Sequence, residues 1–137
     1  MKILIKNGRV VDPKNNLDGI SDILVEDNRI SKVSKNIQNN TENIIDATDR
    51  IVMPGIVDMH VHLREPGRED KETIKSGTLA AVYGGVTSIL AMPNTLPCMD
   101  CVESIRLEKG IIEKTANVNV FIAGAINRRR QGKELTD

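Results

Sequence analysis

The chain has 137 residues, enough to bury a core, and its 19 Lys and Arg balance 19 Asp and Glu. A net charge of zero gives no electrostatic reason to expect nucleic acid or an anionic membrane as a partner. No apolar run reaches the length of a membrane span, the opening "MKILIKNGRVVD" is too short an apolar segment for a signal peptide, and two cysteines make no disulfide framework; a cytoplasmic location is the expectation.

In chain order, residues 1–52 alternate short β-type runs with turn chemistry. "ILI" meets Asn7-Gly8, which reads as a hairpin turn, and "RVV" meets Asp12-Pro13. "DILV" meets "EDN", "RISKV" follows, and after the polar "SKNIQNNTEN" come "NIID" and "RIVM". Aliphatic Ile and Val dominate and aromatics are nearly absent, which favours a small antiparallel sheet or part of a β-sandwich.

From residue 53 to 137 the rhythm lengthens. "IVDMHVH" reads as a strand, and "KETIKSGTLAAVYGG" as a helix with Ile74, Thr78, Ala81 and Val82 on one face and Gly84-Gly85 as its stop. "VTSILAM" is a second strand, "CVESIRLEKGIIEKTA" a second helix, and "VNVFIAG" a third strand. A strand–helix period of roughly thirty residues is that of βα units in a parallel sheet. No G-x-G-x-x-G follows a strand, so a dinucleotide-binding sheet has little support. A (β/α)8 barrel takes about 250 residues. The expected architecture is therefore α/β: an incomplete (β/α)8 barrel over 53–137, preceded by part of a small β-sandwich over 1–52, in the N-terminal piece of a longer protein.

Both histidines of the chain lie in "DMHVHLREPG". Alternation on a strand puts His60 and His62 on one face, about 6 to 7 Å apart. Two imidazoles so placed can lean onto one ion or flank two close ones, and imidazole suits zinc and related metals. The pair ends a strand and precedes a loop, where barrel enzymes hold their chemistry. Asp58, on the same face, is positioned to orient a histidine. The bland alternative is a half-buried strand with one wet face.

The stretch "MPGIVDMHVHLREPG", followed by "KETIKSGTLAAVYGGVTSILAMPNTLP", resembles the amidohydrolase superfamily and, within it, dihydroorotases of the long bacterial type. The similarity runs from "KNGRVVDPKNNLDGISDILVEDNRI" to "GAINRRRQGKELTD" and covers the first third or so of such an enzyme. The resemblance implies a metal-dependent, reversible interconversion of N-carbamoyl-L-aspartate and L-dihydroorotate in pyrimidine synthesis. His60 and His62 match zinc ligands, in a centre of one or two Zn2+ ions. His62, Arg64 and Asn94 match substrate-binding positions, with Arg64 and Asn94 sharing the substrate carboxylate. The implied partners are the small-molecule substrate and a second copy of the chain or another enzyme of the pathway, not nucleic acid or a membrane.

The resemblance also implies a bridging lysine carbamate or aspartate, two more histidines and an aspartate base from later strands. No histidine follows His62. No catalytic base is assigned within this chain, and residues 1–137 alone are expected to bind metal weakly, to lack turnover and to be poorly soluble. Hydantoinases and allantoinases are rivals within the same chemistry; a non-catalytic subunit is the rival outside it. The lone C-x-x-C at Cys98 and Cys101 reads as packing, and "RRR" at 128–130 as a solvated loop.

Overall fold

β1 (Lys2–Asp12) is the spine of the N-terminal sheet. On one side it pairs antiparallel with β2 (Leu17–Glu26), which pairs with β3 (Arg29–Ser34). On the other side it runs parallel to β4 (Ile44–Asp46) and, farther along, to β5 (Ile51–Val52). The expectation of an antiparallel sheet is therefore corrected: the sheet is mixed. The segment 35–43 is the crossover: it leaves β3 at one edge of the sheet and returns the chain to the other side of β1, where Leu4 N–H donates to the carbonyl of Asn43 at 2.9 Å.

Asn7-Gly8 is also corrected, from a hairpin turn to a bulge inside β1, where the register with β2 slips between Ile5 and Gly8. Asn7 adopts φ 63° and donates its N–H to Oδ1 of buried Asp22 at 2.9 Å, while Oδ2 of Asp22 accepts from the N–H of Ile37 at 2.9 Å. A side chain at Gly8 would meet Val52 at 2.6 Å, so the bulge needs glycine there. Asp12 caps a short 3-10 turn over Pro13–Asn15, and Asp27-Asn28, both at positive φ, turn β2 into β3. Leu4, Leu24 and Ile37 form the core of this unit.

The structure is a computed structural model that describes residues 1–136, and it divides into the units Met1–Pro54 and Gly55–Asp137. The second unit is α/β, in the order β6 (Ile56–Val61), α1 (Ile74–Tyr83), β7 (Val86–Ala91), α2 (Val102–Thr115), β8 (Asn119–Ile122). Its three strands are all parallel, ordered β6-β7-β8. Leu63, Ile74, Ile89 and Ala91 are the core, with Val61, Ile111, Ile112 and Val120 packed against it.

α1 begins with a reciprocal cap: Thr73 Oγ1 accepts from the N–H of Ser76 at 3.0 Å, and Ser76 Oγ accepts from the N–H of Thr73 at 3.1 Å. It stops at Gly84, with Gly85 at φ 74°. Ile74 and Thr78 are buried as the periodicity predicts, but Val82 is 47% exposed and leaves the inward face. Thr78 donates to the carbonyl of Ile74 at 2.6 Å and accepts from the backbone N–H of Asn117 at 3.1 Å, tying α1 to the segment before β8. No helix among the described residues is long and apolar enough to cross a membrane.

Candidate metal centre

Val61 and Leu63 take the side packed with the helices, so His60 and His62 take the other side of the chain. β6 ends at Val61, and the ladder with β7 is irregular between Asp58 and Val61, where His60 lies. His62 follows one residue after the strand. The two Nε2 atoms stand 3.3 Å apart, with ring centroids 5.1 Å apart and planes inclined at 64°.

Two Zn–N bonds of about 2.0–2.1 Å at a tetrahedral angle put their nitrogens about 3.3 Å apart. The spacing of the pair therefore fits a shared ion. A proton on one Nε2 satisfies the same distance as an N–H···N hydrogen bond when no metal is bound.

His62 is fixed from behind. Its Nδ1 lies 2.8 Å from Oδ1 of Asn94, in the loop after β7. An amide oxygen accepts, so Nδ1 carries the proton and Nε2 presents its lone pair. Asp58 does not orient an imidazole as expected from the sequence. Its Oδ1 accepts from the backbone N–H of His60 at 3.1 Å, so it shapes the chain under that ring.

Arg64 is half-buried, adopts φ 65°, and its guanidinium has no hydrogen bond or ion pair among the described residues. A left-handed conformation costs a non-glycine residue of order 1–3 kcal/mol and persists only where its surroundings impose it. Here Glu65 N–H donates to the carbonyl of Leu63 at 2.8 Å and Arg68 N–H to the carbonyl of Arg64 at 3.0 Å. The 62–73 loop is stitched in turn to the loop after β7, because Leu96 N–H donates to the carbonyl of Pro66 at 2.9 Å. Gly67, at φ 98°, lies so close to Leu96 that no side chain fits. These two loops bring His62, Arg64 and Asn94 to neighbouring positions at one end of the sheet.

Among the described residues no group of three or more His, Cys, Asp or Glu side chains could hold a metal. The pair alone would therefore offer two ligands where catalytic zinc takes about three from the protein. The cysteines add none. Both are free; Cys98 Sγ donates to the carbonyl of Pro93 at 3.1 Å, and burial raises its pKa, which keeps it a thiol. Arg128–Arg130 are exposed, as a solvated loop should be. Arg128 and Arg129 line a groove at the start of α2, where they and Lys133 face Asp100, Glu103 and Glu134 without net charge; neither histidine lines it.

A family described as "Dihydro-orotase-like" matches residues 49–137, more than half of the chain. The chain belongs to the dihydro-orotase-like family. Relatives named dihydroorotase, from Elusimicrobium minutum (strain Pei191) and Bacillus cereus (strain B4264), are 54% and 48% identical over all 137 residues. The chain spans 32% of the length of each.

Solved structures of the same shape include an L-hydantoinase (dihydropyrimidinase) from Arthrobacter aurescens, at TM-score 0.82 and 27% identity over 91% of this chain and 28% of that one. A dihydropyrimidinase from Brevibacillus agri NCHU1002 follows at TM-score 0.78 and 26% identity, over 93% of this chain and 28% of that one. Family membership thus rests on sequence, and the α/β architecture is shared with hydantoinases.

The sequence reading missed one polar group of note. Glu108, on α2, is 0% exposed, and neither of its carboxylate oxygens has a hydrogen-bond partner among the described residues. Burial, and then the charge of Glu65, push its pKa up to about 7. The available signal was its place on the stripe Ser104, Glu108, Ile111, Ile112 and Thr115, at helical spacing.

Proposed function

We propose that the chain contributes to a zinc-dependent dihydroorotase, a cyclic amidohydrolase that interconverts L-dihydroorotate and N-carbamoyl-L-aspartate, and that it forms the first units of a (β/α)8 barrel. The observation that carries the proposal is the convergence of two Nε2 atoms at 3.3 Å with the Nδ1 of His62 held by Asn94. Sequence identity to relatives named dihydroorotase supports that substrate class over the hydantoinase type.

His60 and His62 would hold the ion. When bound there, Zn2+ supplies carbonyl polarisation and water activation near neutral pH. The protein residues do the rest of the recognition. Arg64, without a side-chain partner among the described residues and fixed by its backbone, offers a two-pronged donor to a substrate carboxylate. Asn94 keeps its NH2 free for the same carboxylate while its oxygen orders His62. A free carboxylate separates dihydroorotate from hydantoins, and Arg64 is the residue in this chain that reads it.

The test is Arg64→Met in a protein of the relatives' full length. We expect KM for dihydroorotate to rise by ten-fold or more, roughly the loss of one charge-assisted pair, with a hydantoin lacking the carboxylate unaffected. An unchanged KM removes the dihydroorotase assignment in favour of a hydantoinase. Residues 1–137 alone should show weak zinc binding, lost in His60→Ala, and no turnover.

A further inference from the structure

Glu108 stands where a helix of this kind normally buries an aliphatic side chain. Its stripe on α2 continues through Ile111 and Ile112 into the core beside Leu63 and Ile74. A carboxylate with no donor in such a place is strongly disfavoured, whereas the uncharged acid is tolerated. The groups around it decide how it behaves. α1 carries only Lys75 and Tyr83, both exposed; β6 carries Asp58 and His60, both exposed; and β7 and β8 carry no titratable side chain. The charged residues of α2 other than Glu108 are exposed. In the 62–73 loop His62, Arg68, Glu69, Asp70 and Lys71 are exposed, which leaves Arg64, Glu65 and Glu72 half-buried. The charge that bears on Glu108 is that of Glu65, in the 62–73 loop.

Glu65 has a task of its own. Its Oε2 accepts from the N–H of Ile74, the first residue of α1, at 2.7 Å, where a negative charge also complements the helix dipole. This bond closes the loop that begins at Leu63 and contains Arg64, and Ile74 is 0% exposed. The loop is thus clamped by a carboxylate whose charge opposes a second, buried carboxyl.

We propose that Glu108 is a positioning residue: in its uncharged form it lets Glu65 clamp the start of α1 and so holds the Leu63–Thr73 loop, with Arg64, in place. Loss of the Glu108 proton to solvent sets two carboxylates against each other and loosens the Glu65–Ile74 bond. The loop then opens more often, and Arg64 loses its fixed aim. The consequence for substrate rests on the role proposed for Arg64; the clamp itself does not.

Hydrogen exchange of the Ile74 amide reads the clamp directly in the 137-residue chain. After correction for intrinsic base catalysis, its protection should fall by about ten-fold or more from pH 6 to pH 8. In Glu108→Gln, which mimics the uncharged acid, the protection should be flat across that range. The carboxyl carbon of Glu108, followed by NMR, should titrate near 7, the value at which protection is lost.

Protection independent of pH in the parent overturns the proposal, as does a Glu108 that titrates in the ordinary carboxylate range. A Glu108→Gln protein that keeps the parent's pH slope overturns it too. Should that variant fail to fold, the two parent measurements still decide. Loss of the Arg64→Met effect on KM would sink the substrate reading while leaving the exchange result untouched.

Discussion

Asn94 lies 32 residues from His62 in sequence, yet its amide oxygen sits 2.8 Å from the Nδ1 of that ring. The bond selects the tautomer that points a lone pair toward His60, so Asn94→Ala should weaken zinc or cobalt binding by about 10–100-fold, the usual effect of losing such a support. A cobalt titration followed by visible absorption checks this, and affinity equal to the parent's would mean that the ring is held by packing alone. Glu108 supplies a second prediction at this scale. Its folded pKa of about 7 lies above the ordinary 4.5. The folded chain therefore holds a proton that the unfolded chain releases, and stability falls as pH rises from about 4.5 to about 7. The full shift corresponds to about 3 kcal/mol. Glu108→Gln should abolish this slope and be the more stable protein at alkaline pH; urea midpoints on either side of neutrality test it. The histidine pair was legible in the sequence because alternation alone places both rings on one face. Asn94 as a partner of His62 was not, since a contact between two loops leaves no local periodicity. Glu108 was not either, because a glutamate on a helix reads as solvent-facing by default.

The elements follow local rules closely in the second unit and less so in the first. Helix stops at Gly84-Gly85 and alternating strands are signals spoken within a few residues, and α1, α2, β7 and β8 fall where those signals place them. Asn7-Gly8 carries the same local signal as a hairpin, but Asp22 on the neighbouring strand takes the N–H of Asn7 and turns the motif into a bulge. The mixed character of that sheet escaped for a related reason: strand direction depends on where a strand docks, not on its own residues. At the 62–73 loop the decisive element is Gly67. Gly67→Ala must place a β-carbon against Leu96 while keeping φ at 98°, so the two loops have to part. A loss of about 1–3 kcal/mol in denaturant stability is expected. The Leu96 amide should also lose its protection from exchange, because its bond to Pro66 joins those loops. Retained protection would show that the loops tolerate the separation.

On the scale of the whole chain, the second sheet has a feature that its helices do not cure. Among the described residues β6 and β8 each pair on one side only, which leaves two strand edges with unpaired backbone groups. Apolar side chains lie along the same strands: Val57 is 61% exposed, Met59 73% and Phe121 61%. Scattered apolar residues are ordinary on a protein surface, but edges and apolar side chains together form a template for pairing with another strand. In a barrel both edges would be closed by neighbouring strands and the exposed residues of β6 covered. The 137-residue chain should therefore self-associate through these edges as its concentration rises. Sedimentation velocity across a concentration series measures this. Met59→Lys, which puts a charge on the edge strand without touching either histidine, should shift the distribution toward monomer while leaving metal affinity unchanged. If the parent stays monomeric throughout, the edges are protected by something other than strand pairing. If Met59→Lys fails to reduce association, the contact lies elsewhere, with Phe121 on β8 the next position to alter.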